Sequence, residues 1–341
     1  MDRTSRLRIG LIGAGRIGKI HAENLSTRIP DAELAAVADI DLAAAEEIAT
    51  QFRAPVAVAN YQAILDDAAI DAVAICSATD THTLIIQEAA AAGKHIFCEK
   101  PIDHDLNRID QALAAVEKAG VKFQVGFNRR FDPSFRKVRE MVAAGKVGTP
   151  HILRITSRDP APPPIAYIRI SGGIFLDMSI HDFDMARYLI GCEVAEVYVA
   201  GGVMVDPQIG AVGDVDTAVI TLRFENGAIG AIDNSRRAVY GYDQRVEVFG
   251  SRGMVTVSNN TPDTHVYSDV EGVHSSLPFY FFQERYSESF MAEMIEFVAA
   301  VKNDTQPPAT GVDGRIAVIM GQAAQISHQE NRPVRLSEIN T

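Results

Sequence analysis

Three glycines near the amino terminus constrain this chain more than any other feature. Gly13-Ala14-Gly15-Arg16-Ile17-Gly18 follows directly on a short apolar run, Leu7–Ile12, and opens a segment of helical periodicity. At a strand-to-helix junction, G-x-G-x-x-G has a physical reading. The first glycine makes the tight turn, the second lets a pyrophosphate approach the backbone, and the third lets helix and strand pack closely. Unpaired N–H groups at the helix N-terminus then face the anion. Glycines also cluster in ordinary turns, so the motif needs a companion. Asp39 supplies one, ending the next apolar run, Glu33–Ala38, ~20 residues on, where a carboxylate accepts hydrogen bonds from the adenosine ribose hydroxyls. That carboxylate repels a 2′-phosphate, and Ile40 offers no arginine to hold one, so NAD is expected rather than NADP. Asp39 can also be read as the N-cap of a helix beginning near Asp41, a role compatible with the first.

Up to about Gln124, short apolar runs alternate with longer helical segments, the pattern of βαβ units and a parallel sheet. The expected strands are Leu7–Ile12, Glu33–Ala38, Ala72–Ile75, Lys94–Phe97 and Lys122–Val125, with helices at Asp41–Phe52, Thr81–Ala92 and Leu106–Ala119. Beyond Pro150 the pattern changes. Asp216–Phe224 and Ala228–Asn234 are joined by Glu225-Asn226-Gly227, a reversal that favours antiparallel pairing. Further strands are expected at Arg245–Phe249 and Met254–Ser258, and helices at Ser289–Val301 and Arg315–Gln329. A chain of 341 residues exceeds the ~250–300 that one core organises. The fold class is therefore α/β: a Rossmann doubly wound parallel sheet over residues 1–127, then an α+β domain over 128–341 with a large, mostly antiparallel open sheet.

The net charge of −12 opposes binding to nucleic acid or to anionic membrane surfaces. No apolar stretch reaches the ~20 residues that span a bilayer, and Met1–Arg6 has no signal-peptide character. Cys76, Cys98 and Cys192 are far apart and read as reduced, buried thiols. A cytoplasmic protein is expected.

Two further constellations carry chemistry. Ser77-Ala78-Thr79-Asp80-Thr81-His82 follows the strand Ala72–Ile75, and Cys98-Glu99-Lys100-Pro101 follows Lys94–Phe97. Ligands of open parallel sheets bind outside the carboxyl ends of the strands, so both segments should face the nicotinamide half of the cofactor. His82 reads equally as a structural histidine. Lys100, at a strand's carboxyl end before a proline, can hydrogen-bond a substrate oxygen; a solvated surface lysine is the alternative. In the second half, Asp177, His181 and Asp184 stand at i, i+4 and i+7, one face of a continuous helix. Histidine there suits removal of a hydroxyl proton as hydride leaves carbon. A divalent metal would want further ligands, which are not evident, and a salt-bridged structural histidine is the plain alternative. The stiff segment Asp159–Pro164 reads either as a rim to the site or as a rigid loop.

These motifs, with Gly126-Phe127-Asn128-Arg129-Arg130-Phe131 and Gly172-Gly173, resemble the glucose-fructose oxidoreductase, inositol dehydrogenase and rhizopine-catabolism family, Gfo/Idh/MocA, along nearly the whole chain. The resemblance implies a catalytic group of Lys100, Asp177 and His181. It implies cofactor contacts from Gly13, Gly15, Arg16, Ile17, Asp39, Ser77, Thr79, His82, Glu99 and Lys100, and assembly into dimers or tetramers through the open sheet. Ser157–Pro164, Ile180–Arg187 and Ala238–Arg245 look most like the inositol 2-dehydrogenase branch. On that likeness Lys100, Asn128, Asp177, His181 and Tyr240 would contact substrate, Tyr240 and Tyr286 also reading as core aromatics. The implied reaction is oxidation of myo-inositol to 2-keto-myo-inositol (scyllo-inosose). Other inositols or aldoses, NAD-dependent glycoside hydrolysis and a non-catalytic dinucleotide sensor remain open.

Overall fold

A computed structural model describes residues 6–339. The chain divides into two compact units, one comprising residues up to Phe131 together with Glu288–Val318, the other Asp132–Ser287 and the chain from Ile319.

The first unit is built on six parallel strands: β1 (Leu7–Ile12), β2 (Ala32–Ala38), β3 (Ala57–Val58), β4 (Ala72–Ile75), β5 (His95–Glu99) and β6 (Phe123–Gly126), in the order β3-β2-β1-β4-β5-β6. The order reverses between β1 and β4, the topological switch point where doubly wound sheets bind ligands. Helices cover the faces, so most strand positions are apolar rather than alternating; every residue of β4 is buried. Capping sets the helix starts: Asp41 accepts from Ala43 N–H and Asp105 from Asn107 and Arg108 N–H. The helix Ser287–Asn303 joins this core with Met294, Phe297, Val298 and Val301. Edge strand β6 is covered by the same returning segment, Val125 N–H donating to Ala309 at 3.0 Å.

In the second unit, β7 (Pro150–Arg158), β8 (Val194–Gly202), β9 (Thr217–Phe224), β10 (Ile229–Ser235), β11 (Asp243–Gly250) and β12 (Gly253–Val257) pair with β15 (Val334–Arg335), in the order β12-β11-β7-β10-β9-β8-β15; β13 (Val266–Ser268) and β14 (Val273–Ser275) form a separate hairpin. All ladders of the large sheet are antiparallel except β7 with β10. The β9–β10 turn closes as expected, with Gly227 at φ +88° and its N–H on Phe224. Along β9, buried and exposed residues alternate. One face carries the unit's core; the other presents Val219, Ile229, Phe249 and Met254 to solvent.

A buried ion pair ties the returning segment to the first unit. Arg130 Nη2 lies 3.0 Å from Asp313 Oδ1, and Thr310 N–H also donates to Asp313. Burial opposes ionisation of Asp313, but the Arg130 charge and the Thr310 donors outweigh it and hold the carboxyl at about 2. A depressed carboxyl contributes stability above its unfolded pKa and loses it as pH falls through the folded one. Urea unfolding between pH 4 and 2 should therefore show a loss of about 2 kcal/mol that Asp313→Asn lacks.

Candidate active site

The glycine turn after β1 is shaped by contacts that no side chain would survive. Gly13 has φ +105°, and a Cβ there would lie 2.5 Å from the Cys76 backbone; at Gly18 it would lie 2.0 Å from the Gly13 carbonyl oxygen. Gly15 is the opposite case. It stands at the N-cap of the helix Arg16–Glu23 with nothing within 4 Å of a Cβ position, so the first N–H groups of the helix open on a space with room for a phosphate. Arg16 is exposed and Ile17 half-buried beside it. Asp39 closes the turn from β2, its Oδ2 accepting from Ala14 N–H at 2.7 Å and its Oδ1 from Asp41 N–H at 2.9 Å. The helix N-cap is Asp41, which leaves half-buried Asp39 as the carboxylate at the carboxyl end of β2. This cradle fits a dinucleotide.

The loops after β4 and β5 are pinned to each other. His82 is 1% exposed; its Nδ1 lies 2.9 Å from the Pro101 carbonyl and its Nε2 3.1 Å from that of Ser77. Burial pushes the imidazole pKa down, so the ring is neutral and one nitrogen donates at a time. Expected as a cofactor contact, His82 has both nitrogens facing backbone carbonyls. Ser77 shares a hydrogen bond with Thr81 at 2.7 Å, and half-buried Thr79 begins the helix Thr79–Ala91. The Glu99 side chain, also expected to meet the cofactor, turns into the core, where Oε1 lies 2.9 Å from His21 Nε2. Lys100 follows it, half-buried, before a cis peptide to Pro101. Asn128 is buried at the start of the short 3-10 turn Asn128–Phe131.

In the second unit, Asp177 and His181 do not share a continuous helix. Gly173–Asp177 and Ser179–Ile190 are separate helices that meet at Met178, where His181 N–H reaches back three residues to the Met178 carbonyl instead of four. The break has a physical origin, because the residues on either side are tethered to different points. Asp177 Oδ2 accepts from Arg236 Nη1 at 3.2 Å, whereas Ser179 Oγ donates to Asn234 Oδ1 at 2.5 Å. Asp177 Oδ1 accepts from the Tyr167 hydroxyl at 2.9 Å, and Tyr167 lies on the short helix Ile165–Ile168 that follows the proline-rich segment. Arg236 is 1% exposed and also faces Asp214 at 3.7 Å; Asp214 in turn accepts from Ile174 N–H, in the first turn of the helix that ends at Asp177. Asp177 is thus held as an acceptor by a buried cation. His181 is half-buried and Asp184 is buried.

Tyr240, an expected substrate contact, donates to Asp243 at 2.6 Å and accepts from Arg158 at 3.1 Å. Burial and the Asp243 carboxylate push its phenol pKa up, so it remains a hydroxyl. Tyr286 is a core residue, 1% exposed and bonded to Gln244. Sequence reasoning missed Arg236, Tyr167 and Asp214; the one hint was Arg236-Arg237 directly after a strand that alternates. Removing a buried charge leaves its partners uncompensated, so Arg236→Met should lower unfolding free energy by about 3 kcal/mol in urea titrations.

Residues 7–127 match the oxidoreductase family described as an NAD-binding Rossmann fold, and residues 135–256 match the GFO/IDH/MocA C-terminal domain. The chain is 50% identical over 98% of its length to the myo-inositol 2-dehydrogenase of Thermotoga maritima, covering 99% of that protein. It is 45% identical over 97% to an inositol 2-dehydrogenase of Rhizobium meliloti, covering 99% of that chain. The solved scyllo-inositol dehydrogenase of Lactobacillus casei, with bound NAD(H) and scyllo-inositol, superposes with a TM-score of 0.92 at 30% identity, over 98% of this chain and 100% of that one.

Proposed function

Because the chain belongs to the GFO/IDH/MocA oxidoreductases, NAD-binding enzymes by family, we propose that its reaction is the oxidation of myo-inositol to 2-keto-myo-inositol. The observation that carries this reading is identity of 50% across the whole length to a myo-inositol 2-dehydrogenase. Lys100, Asp177 and His181 are all present, which a purely sensing protein would not need.

Bound NAD supplies the hydride acceptor, at nicotinamide C4. The residues of the chain manage the other half of the reaction. His181 takes the hydroxyl proton as the carbon–hydrogen electron pair departs, so that alcohol becomes ketone with one proton released. Lys100 hydrogen-bonds the reacting oxygen and stabilises the negative charge that develops on it. Asp177 aligns His181 and accepts a further hydroxyl: a carboxylate has about four lone-pair positions, and Tyr167 and Arg236 occupy two of them. Asn128 and Tyr240 complete the proposed contacts. A polyol suits such a set, since no dense basic cluster calls for a phosphate. Scyllo-inositol is the second reading, favoured by the scyllo-inositol-bound neighbour.

We place the protein in the cytoplasm, in inositol catabolism; among the described residues no helix is long and apolar enough to cross a membrane. The same proposal makes it a homo-oligomer, dimer or tetramer, through the open sheet face, where exposed Met254 and Phe249 are cross-strand partners and half-buried Ile152 on β7 links Phe249 to exposed Ile229.

The test is NADH formation with myo-inositol, scyllo-inositol, chiro-inositol and common aldoses. The highest kcat/KM is expected for myo-inositol; silence with every polyol would reject the assignment. Replacing Lys100 or His181 singly should lower kcat by roughly 10²–10⁴-fold, and unchanged turnover in both variants contradicts the roles given them.

A further inference from the structure

Within the first unit, directly behind the strand end that carries Lys100, three ionisable side chains meet in the core. His21 comes from the helix Arg16–Glu23, Glu99 is the last residue of β5, and Glu293 lies on the helix Ser287–Asn303. His21 and Glu293 are 0% exposed and Glu99 is 9% exposed. His21 Nε2 lies 2.9 Å from Glu99 Oε1 and 3.9 Å from Glu293 Oε1. Neither Glu293 carboxyl oxygen has a hydrogen-bond partner among the described residues. Phe97 and Phe290 pack edge-on against the His21 ring, at 4.9 and 5.9 Å between centroids. Gly126 leaves the room that Glu99 uses, since a Cβ there would come within 2.8 Å of Glu99 Oε2.

An all-apolar cluster would stabilise this core at lower cost, so its polar content asks for a role. The charge balance is readable. A carboxylate only accepts, so the short His21–Glu99 contact is an N–H donated by the imidazole. A second carboxylate, buried without a donor, is too costly to stay ionised. Burial and the Glu99 charge both push the Glu293 carboxyl well up. Glu293 is then a neutral acid whose O–H can be given to its neighbours, all of whose nearest polar atoms lie within 4.8 Å. The other ionisable groups beside the cluster, Cys76 and Cys98, are kept as thiols by burial and the Glu99 charge. Three such ligand types could also hold a divalent cation, which would have to displace the proton that His21 Nε2 gives to Glu99.

We infer that His21 is a positioning residue: with Glu293 facing it from a second helix, it holds the Glu99 side chain and so fixes the backbone from which Lys100 projects. The inference rests on the role proposed for Lys100. Its physical basis is that catalytic efficiency depends on placement, a 1 Å error costing up to ~100-fold.

The experiment uses the full-length enzyme with NAD and its best polyol. His21→Ala should lower kcat about 10–100-fold with KM for NAD near wild type, and should raise the primary isotope effect on a substrate deuterated at the reacting carbon. His21→Gln, whose amide N–H takes the place of ring Nε2, should restore most of the loss. Glu293→Gln, a neutral isostere of the acid, should keep wild-type kcat and Tm. The infrared difference spectrum of wild type minus Glu293→Gln at neutral pH should show a protonated-carboxyl stretch, a readout independent of turnover. Wild-type kcat in His21→Ala, equal losses in His21→Ala and His21→Gln, no protonated carboxyl, or one divalent metal per purified chain would each overturn the inference. A wild-type enzyme that oxidises no polyol counts against the proposed function, and the infrared measurement still decides the state of Glu293.

Discussion

Everything in the first unit is referred to one close approach, that of the helix Arg16–Glu23 to the end of β1, where Gly18 leaves no space for a methyl group above the Gly13 carbonyl. The helix begins at Gly15, beside which there is open space, and His21, one turn past Gly18, is carried into the core beside Glu99. Asp39 locks the arrangement through the Ala14 N–H. Close backbone packing thus sets both the glycine turn and the buried cluster behind it. The carboxylate at the end of β2 holds the glycine turn from outside it.

Much of this was legible in the sequence because the deciding forces are local. Leu7–Ile12, Ala72–Ile75 and Leu106–Ala119 are found with the expected bounds: short apolar runs buried on both faces, and a helix framed by an Asp cap and a left-handed Gly120. Strands β3, β7 and β8 were not anticipated. Two residues make no periodic signal in β3, whereas β7 and β8 bury one face only and carry charges and glycine on the other. Where the helix Ser287–Asn303 packs has no local signature, because its apolar residues would suit any core.

At the site, the residue types were legible and their partners were not. Asp177 and His181 stand four apart, and a sequence read alone makes them one helical face; tethers to Arg236 and Asn234, more than fifty residues away in the chain, break the helix between them. Arg236 and Arg237 are indistinguishable in sequence, yet one is 1% exposed and the other lies on the surface, because a strand end decides which side chain turns inward. His82 and Glu99 were expected at the cofactor, but their side chains face other parts of the protein: His82 the carbonyls of Pro101 and Ser77, Glu99 the buried His21. A motif fixes which residues a loop contains; it says little about which way each side chain in the loop is turned.

The first unit is made from two separated stretches of one chain, and the ribosome delivers them far apart in time. When Phe131 emerges, β6 still lacks the segment whose Ala309 carbonyl will cover its edge, and Met294, Phe297 and Val298 are not yet there to close over Phe97. A nascent Rossmann sheet with a bare edge and an uncovered apolar face must wait through the synthesis of Asp132–Ser287, a long-range closure of the kind that slows folding and exposes sticky surface. The sheet is therefore complete only once the chain has been made as far as Val318.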